Sequence, residues 1–361
     1  MKVGAVEAFP ISIKTSEELR GGTFSYSHFQ TVLVRAEADG VAGWGEAMTR
    51  FDPDATALLA RFLARSVTGR EFDGVKGAWK AMWQELRVRG HTRGTDVEAL
   101  SGIEMALYDC YARGLKKPLG ALFSKSPSPM VPAFAGSLFA SRGPIEEQIE
   151  LVRARGLRGA KVKVGFGVEE DRRLLERVRR AWTDGMIVAD ANGAYDSATA
   201  AVACEAFAGL DLAWFEEPVP SDDFSGYASL RGSKVKIGAG ESWFVSDFEG
   251  TIEGGLVSVV EPSVSRCGGV GVEMDVAERA LARGVGFSPM TGMNSAVSLA
   301  ASLHAASARG SLGVEYNPFP NPLQTDLAAG ISGPRGGEIA VPEGDGLGIE
   351  VDMRFLKSHS R

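Results

Sequence analysis

Short apolar runs recur along the middle of the chain, with helical patterns between them. "VPAFAGS", "GAKVKVG", "GMIVAD", "LAWFEEP", "VKIGAGE", "GLVSVVEP", "GVGFSPM" and "LGVEYNP" follow one another roughly every 25 residues. Continuous apolar runs of this kind suit strands buried on both faces. One intervening helix, "VEEDRRLLERVRRAW", carries Glu169, Glu170 and Asp171 in its first turn and Arg177, Arg179 and Arg180 near its end. That distribution matches the helix dipole at both ends. Eight strand–helix units in series predict an α/β fold, a modified (β/α)8 barrel, with only the final helix indistinct.

The first region reads differently. "TVLVRAEADG" and "VAGWGEAMT" alternate apolar and polar positions on either side of Asp39-Gly40, which predicts a hairpin. "DVEALSGIEMALYDCYARG" is helical, with Leu100, Ile103, Leu107 and Tyr111 near one face. "PSPMVP", from Pro127 to Pro132, reads as a linker. The expected organisation is an α+β unit over residues 1–126, the barrel over 127–321, and a tail over 322–361 that packs back on the first unit. Residues 16–28, "SEELRGGTFSYSH", read as a long polar loop.

Composition adds exclusions. The 361 residues are 44% hydrophobic and 24% charged, ordinary for a globular protein. A net charge of −7 argues against nucleic-acid partners, which would need a basic stripe. Cys110, Cys204 and Cys267 show neither paired nor metal-ligand spacing, and no apolar run is long enough for a leader or a membrane span. A soluble, cytoplasmic protein is expected.

Candidate chemistry lies at the strand ends, where barrels of this kind carry it. The third, fourth and fifth barrel strands end in Asp190 ("VADAN"), Glu216 ("WFEEP") and Glu241 ("GAGES"), each about one repeat from the next. Three converging carboxylates repel unless a cation neutralises them, and an all-oxygen set suits Mg²⁺. Asn192 could support such a site; Glu217 is expected to face the barrel exterior or a loop. In the second strand Lys161 and Lys163 alternate with Val162 and Val164, so both lysines share one face. Gly165 and Gly167 fit a tight turn after it, with no dinucleotide fingerprint around them.

Taken together, Lys161-Val162-Lys163, Asp190-Ala191-Asn192, Glu216-Glu217-Pro218, Gly240-Glu241 and Ser265-Arg266-Cys267-Gly268-Gly269 resemble the enolase superfamily, within it the mandelate racemase/muconate lactonizing enzyme family and its mandelate racemase-like branch. The resemblance implies a capping domain built from both ends of the chain. It implies that Asp190, Glu216 and Glu241 bind Mg²⁺, which holds a substrate carboxylate. Lys163 then handles the proton on the adjacent carbon, and Lys161 tunes Lys163 by charge repulsion, helping to keep it neutral.

The chain departs from that pattern on the opposite face. Where mandelate racemase-like members carry an aspartate and a histidine as a second base, this sequence has Ser263 and Met290. One acid/base group suits a one-face reaction better than racemisation. The expected reaction is dehydration of a sugar acid or similar hydroxy acid. The alternatives are a cycloisomerase of a sugar lactone or unsaturated diacid, and a decayed member that only binds ligand. Glu261, where relatives usually place glutamine, is expected to pair with Arg266 or Lys161; a relocated acid is the other reading. Glu315 ends the eighth strand and is expected either to touch substrate or to serve as a structural hydrogen-bonding group. The polar loop resembles a lid in position, with Arg20, Thr23 and Tyr26 as possible substrate contacts. His28 and His91 belong to the same region, and His304 sits on a barrel helix away from the chemistry. The expected partners are a small-molecule carboxylate and further copies of this chain, with no nucleic acid and no membrane.

Overall fold

The computed structural model describes residues 1–361. An antiparallel sheet opens the chain: β1 (Val3–Arg20), β2 (Ser25–Ala38) and β3 (Val41–Met48). Asp39 and Gly40 turn β2 into β3 with positive φ at both positions, the geometry that Asp-Gly supplies at least cost. Three helices follow: α1 (Pro53–Ala64) and α3 (Thr95–Gly114) cover the sheet, and α2 (Gly74–Arg87) packs against α3. Residues 16–28, expected as a loop, instead complete the β1–β2 hairpin, with Leu19 opposite Tyr26 and Arg20 opposite Ser25. Leu19 is buried and Phe24 and Tyr26 half-buried, but most residues of the tip are polar and exposed, so its backbone ladder leaves no regular alternation in the sequence.

The barrel follows, each strand but the last leading into a helix. Its elements are β4 (Met130–Leu138), α4 (Ile145–Ala154), β5 (Gly159–Lys163), α5 (Val168–Ala181), β6 (Met186–Asp190), α6 (Ser197–Phe207), β7 (Trp214–Glu216) and α7 (Phe224–Ser229). They continue through β8 (Ile237–Ala239), α8 (Val245–Glu253), β9 (Val259–Val260), α9 (Val270–Ala282), β10 (Gly286–Phe287), α10 (Ala296–Arg309) and β11 (Val314–Tyr316). The parallel sheet curls in the order β10-β9-β8-β7-β6-β5-β4-β11. At the β10–β11 seam the Leu312 N–H donates to the Phe287 carbonyl at 2.8 Å. After β11 only a short turn of helix forms, at Pro322–Thr325.

Two apolar cores result. One fills the space between barrel strands and helices, and includes Val162 and Val164. The other lies under the first sheet, but it also takes in Val270 and Met274 of α9, Val297 and Ala300 of α10, and Leu347, Ile349 and Leu356 of the tail. The tail serves the barrel too: Glu338–Ala340 pairs antiparallel with the start of β4.

Two buried carboxylates from the first region cap barrel helices. Glu46 of β3 accepts the N–H groups of Ser295 (2.9 Å) and Ser298 (3.1 Å) at the start of α10. Glu104 of α3 accepts those of Val270 (2.7 Å) and Gly271 (2.8 Å) at the start of α9. Each places carboxyl oxygens as acceptors where helix N–H groups lack partners. No helix is long and apolar enough to cross a membrane.

Candidate active site

Parallel register brings the charged residues to one level. Lys163 lies opposite Asp190 in the β5–β6 ladder, and Asp190 opposite Glu216 in the β6–β7 ladder. Glu241 follows β8 directly after Gly240. One carboxylate oxygen from each of Asp190, Glu216 and Glu241 lies within 4.8 Å of the other two, and all three residues are buried. The donor set is all oxygen and fits a hard divalent cation. Glu216 Oε2 is buried without a hydrogen-bond partner and so is free to bind one.

Both lysines point at this cluster. Lys161 Nζ donates to Glu216 Oε1 at 3.0 Å, stands 3.5 Å from Asp190 Oδ2 and contacts Glu315. Lys163 Nζ contacts Asp190 and donates to Asn192 Oδ1 at 2.8 Å. Asn192 in turn donates from Nδ2 to Glu241 Oε1 at 2.8 Å. Burial, the largest influence on Lys163, pushes its pKa down, and Lys161 adds to this. Asp190, Glu241 and Glu216 outweigh both and leave Lys163 above the ordinary lysine range. The expected neutral amine is therefore not produced by the lysine pair alone. The carboxylates beside it hold the proton on.

The acids divide by environment. Burial pushes Glu241 up, but Arg50, Lys163, Lys161 and Arg266 outweigh it and bring the group down to about 2. Glu217, expected at the exterior, is buried beside the cluster, where it accepts from the Ser242 N–H at 3.1 Å. Burial, then Glu241 and Asp190, raise it to about 8. The reason for its inward place is backbone: Glu217 turns at φ 38, so the strand-end alternation stops before it.

Glu261 corrects a second expectation. It has no ion pair with Arg266 or Lys161; Arg266 pairs with Glu98 at 3.4 Å and Lys161 is taken up by other carboxylates. Its carboxyl fills the space beside the side-chain-free Gly238, and Oε2 has no hydrogen-bond partner. Burial raises its pKa far above the usual carboxylate range, with Glu315 and Asp190 adding to this against Lys161. Burial without a partner disfavours its charged form.

A cavity of about 90 Å³ opens between the strand ends and the β1–β2 hairpin. Tyr26, His28, Lys161, Lys163, Asn192, Glu241, Met290 and Glu315 are among its walls. Ser263 is not: its hydroxyl is buried 3.3 Å from that of Ser265. Arg20 turns away to Glu18, and His91 pairs with Asp96 at 3.1 Å on the outside of the first region. His304 is buried on α10 with Nδ1 accepting the Gly120 N–H at 3.3 Å. Among the wall residues that the sequence did not mark, two reach the charged cluster. Arg50, just past β3, contacts the Tyr26 hydroxyl and reaches Glu241 Oε1 at 3.5 Å. Phe24 stands over Lys163. Both act on the barrel from the first region, across a distance that no local pattern spans.

Residues 145–355 match the model for enolase C-terminal domain-like proteins, and residues 14–123 match that for the mandelate racemase/muconate lactonizing enzyme N-terminal domain. The chain belongs to this family of the enolase superfamily. It is 28% identical to the D-galactarolactone cycloisomerase of Agrobacterium fabrum over 99% of this chain and 98% of that one. It is 25% identical to the arabinonate dehydratase of Saccharolobus solfataricus over 87% and 86% of the two chains. A Streptomyces coelicolor racemase solved with bound magnesium superposes with a TM-score of 0.89 at 25% identity, covering 99% of this chain and 100% of that one. The curated relatives are an isomerase and a lyase, and this family member is an enzyme of one of those two classes.

Proposed function

We propose that the chain is a Mg²⁺-dependent enzyme that removes the α-proton of a sugar acid or its lactone and expels the oxygen on the β-carbon. The observation that carries this reading is the wall composition of the cavity. Lys163 is its proton-transfer group beside the acid triad, and the opposite wall offers the thioether of Met290. Asp190, Glu216 and Glu241 would hold the ion. Mg²⁺ there supplies positive charge against the negative charge developing on the substrate carboxylate, worth several kcal/mol, and offsets the carboxylate attraction that raises Lys163.

Lys163 then works on one face of the substrate. Its Nζ takes the α-proton, and the C–H electron pair forms the new C=C bond as the β-oxygen leaves. The ammonium returns the proton to that oxygen, and the enol product tautomerises to a 2-keto acid. Lys161, locked between Glu216, Asp190 and Glu315, stays charged throughout: burial opposes the charge, but those carboxylates prevail and raise its pKa. Asn192 links Lys163 to Glu241 and keeps amine and triad in register.

Two leaving oxygens fit this chemistry. The full-length likeness to a sugar-lactone cycloisomerase supports departure of a ring oxygen. The dehydratase relative supports departure of water from an open-chain acid. Incubation with D-galactarolactone, galactonate, arabinonate and rhamnonate in the presence of Mg²⁺, followed by assay of 2-keto acid, separates the two. Lys163→Met is expected to lose at least about a thousandfold in kcat, and chelation of Mg²⁺ to abolish turnover. Full activity in Lys163→Met would refute the assignment. Fast α-deuterium incorporation with inversion would sink the one-face mechanism.

A further inference from the structure

The tip of the β1–β2 hairpin meets, at backbone level, the turn that follows the strand carrying Lys163. A methyl group on Gly22 would stand 2.6 Å from the Gly165 carbonyl oxygen, 2.8 Å from its carbonyl carbon and 2.9 Å from its Cα. Gly165 has little freedom to retreat. Its N–H donates to Asp171 at 2.8 Å, the Phe166 N–H does so at 3.2 Å, and Tyr195 donates to the same carboxylate. Other contacts fix the tip from both sides. Thr23 Oγ1 donates to the Asn192 carbonyl at 3.2 Å, and the Arg20 N–H donates to Ser141 Oγ at 3.1 Å. Glu17 pairs with Arg142 at 2.6 Å, whose guanidinium lies 3.7 Å from the centre of the Phe319 ring.

This docking delivers Phe24. Its ring centre lies 5.4 Å from Lys163 Nζ, within the range of a cation–π contact. Tyr26 backs the ring at 4.7 Å between centroids, and Phe139 meets it edge-on at 6.5 Å. Asp190 and Asn192 hold the amine from the barrel side. The aromatic face covers it from the hairpin side.

We propose that Phe24 is a positioning residue for Lys163, covering the solvent side of the amine and held there by the Gly22–Gly165 contact. The proposal rests on Lys163 as the acid/base group. The ring's negative face attracts the ammonium that forms when Lys163 takes the α-proton. It also excludes water that would exchange that proton before it reaches the leaving oxygen.

Reductive methylation of the full chain with Mg²⁺, using formaldehyde and cyanoborohydride with peptide mass mapping, reads this cover without needing turnover. Lys163 in the unaltered protein is expected to label at least about tenfold more slowly than the exposed Lys80. Phe24→Ala and Gly22→Ala should each raise the Lys163 rate about tenfold and leave Lys80 unchanged, while Phe24→Tyr keeps the protection. Unchanged Lys163 labelling in Phe24→Ala and Gly22→Ala overturns the proposal. Gly22 lies at an exposed tip, so its variant decides if Phe24→Ala fails to fold. With D-galactarolactone as probe in D₂O, Phe24→Ala should lower kcat about tenfold at nearly constant KM and put more deuterium at the α-carbon of recovered substrate. An unchanged exchange-to-turnover ratio counts against it. Full turnover by Lys163→Met would instead refute the acid/base reading while leaving the labelling result intact.

Discussion

At the residue scale, buried titratable groups here are stabilised by three different means. Glu241 is ionised among cations, Glu261 fits beside Gly238 where burial disfavours its charge, and His304 stays neutral in the tail-facing side of α10. Burial lowers His304 to about 4 from 6.5, despite an opposing main-chain contact at Leu347. The sign follows from linkage: the unfolded chain binds the proton first, so this stability is fully present above pH 6.5. It is lost as pH falls through 4, by about 3 kcal/mol in all. Thermal melts from pH 7 to 4 should therefore show a steeper fall for the unaltered protein than for His304→Gln, which keeps an acceptor and cannot titrate. Parallel slopes would exclude the effect. The acid triad and the lysine pair were legible because strand alternation and a repeat near 25 residues place them without knowledge of contacts. The unpaired place of Glu261 was not, since it depends on the missing side chain of Gly238 and on cations engaged elsewhere.

At the element scale, β9 and β10 are two-residue ladders, yet their apolar runs marked them because β9 is buried on both faces and β10 buries Phe287. The hairpin tip was misread for the opposite reason: apart from Leu19 and Tyr26, its ladder runs through polar, exposed residues with no regular alternation. Helix α10 illustrates a third case. A helix around His304 was expected, but the acceptor of its first N–H groups is Glu46, from a strand far earlier in the chain. Glu46→Ala removes that acceptor, and the lost cap plus stranded buried donors should cost about 3 kcal/mol. Urea unfolding would register this as a lower midpoint at unchanged slope. A loss below about 0.5 kcal/mol would mean that water replaces the carboxylate.

At the scale of the whole molecule, the sequence suggested a first unit, a barrel and a returning tail. The structure adds that one core crosses those limits. Helices α9 and α10 bury residues with the first sheet, and the tail closes that core while lending a strand to β4. Calorimetry should accordingly show one unfolding transition, with van't Hoff and calorimetric enthalpies in agreement. Two separable transitions would show that the shared core is energetically minor. Such coupling was illegible beforehand because it joins positions too distant in sequence for periodicity to connect.

The shared core also sets an order of events during synthesis. The first sheet and its helices leave the ribosome early, yet the residues that finish their apolar underside arrive with α9, α10 and finally Leu356. Glu46 and Glu104 wait over the same interval for the helix ends they serve. The nascent chain must therefore carry an incomplete, sticky surface through most of its translation, a window in which chaperones have work to do.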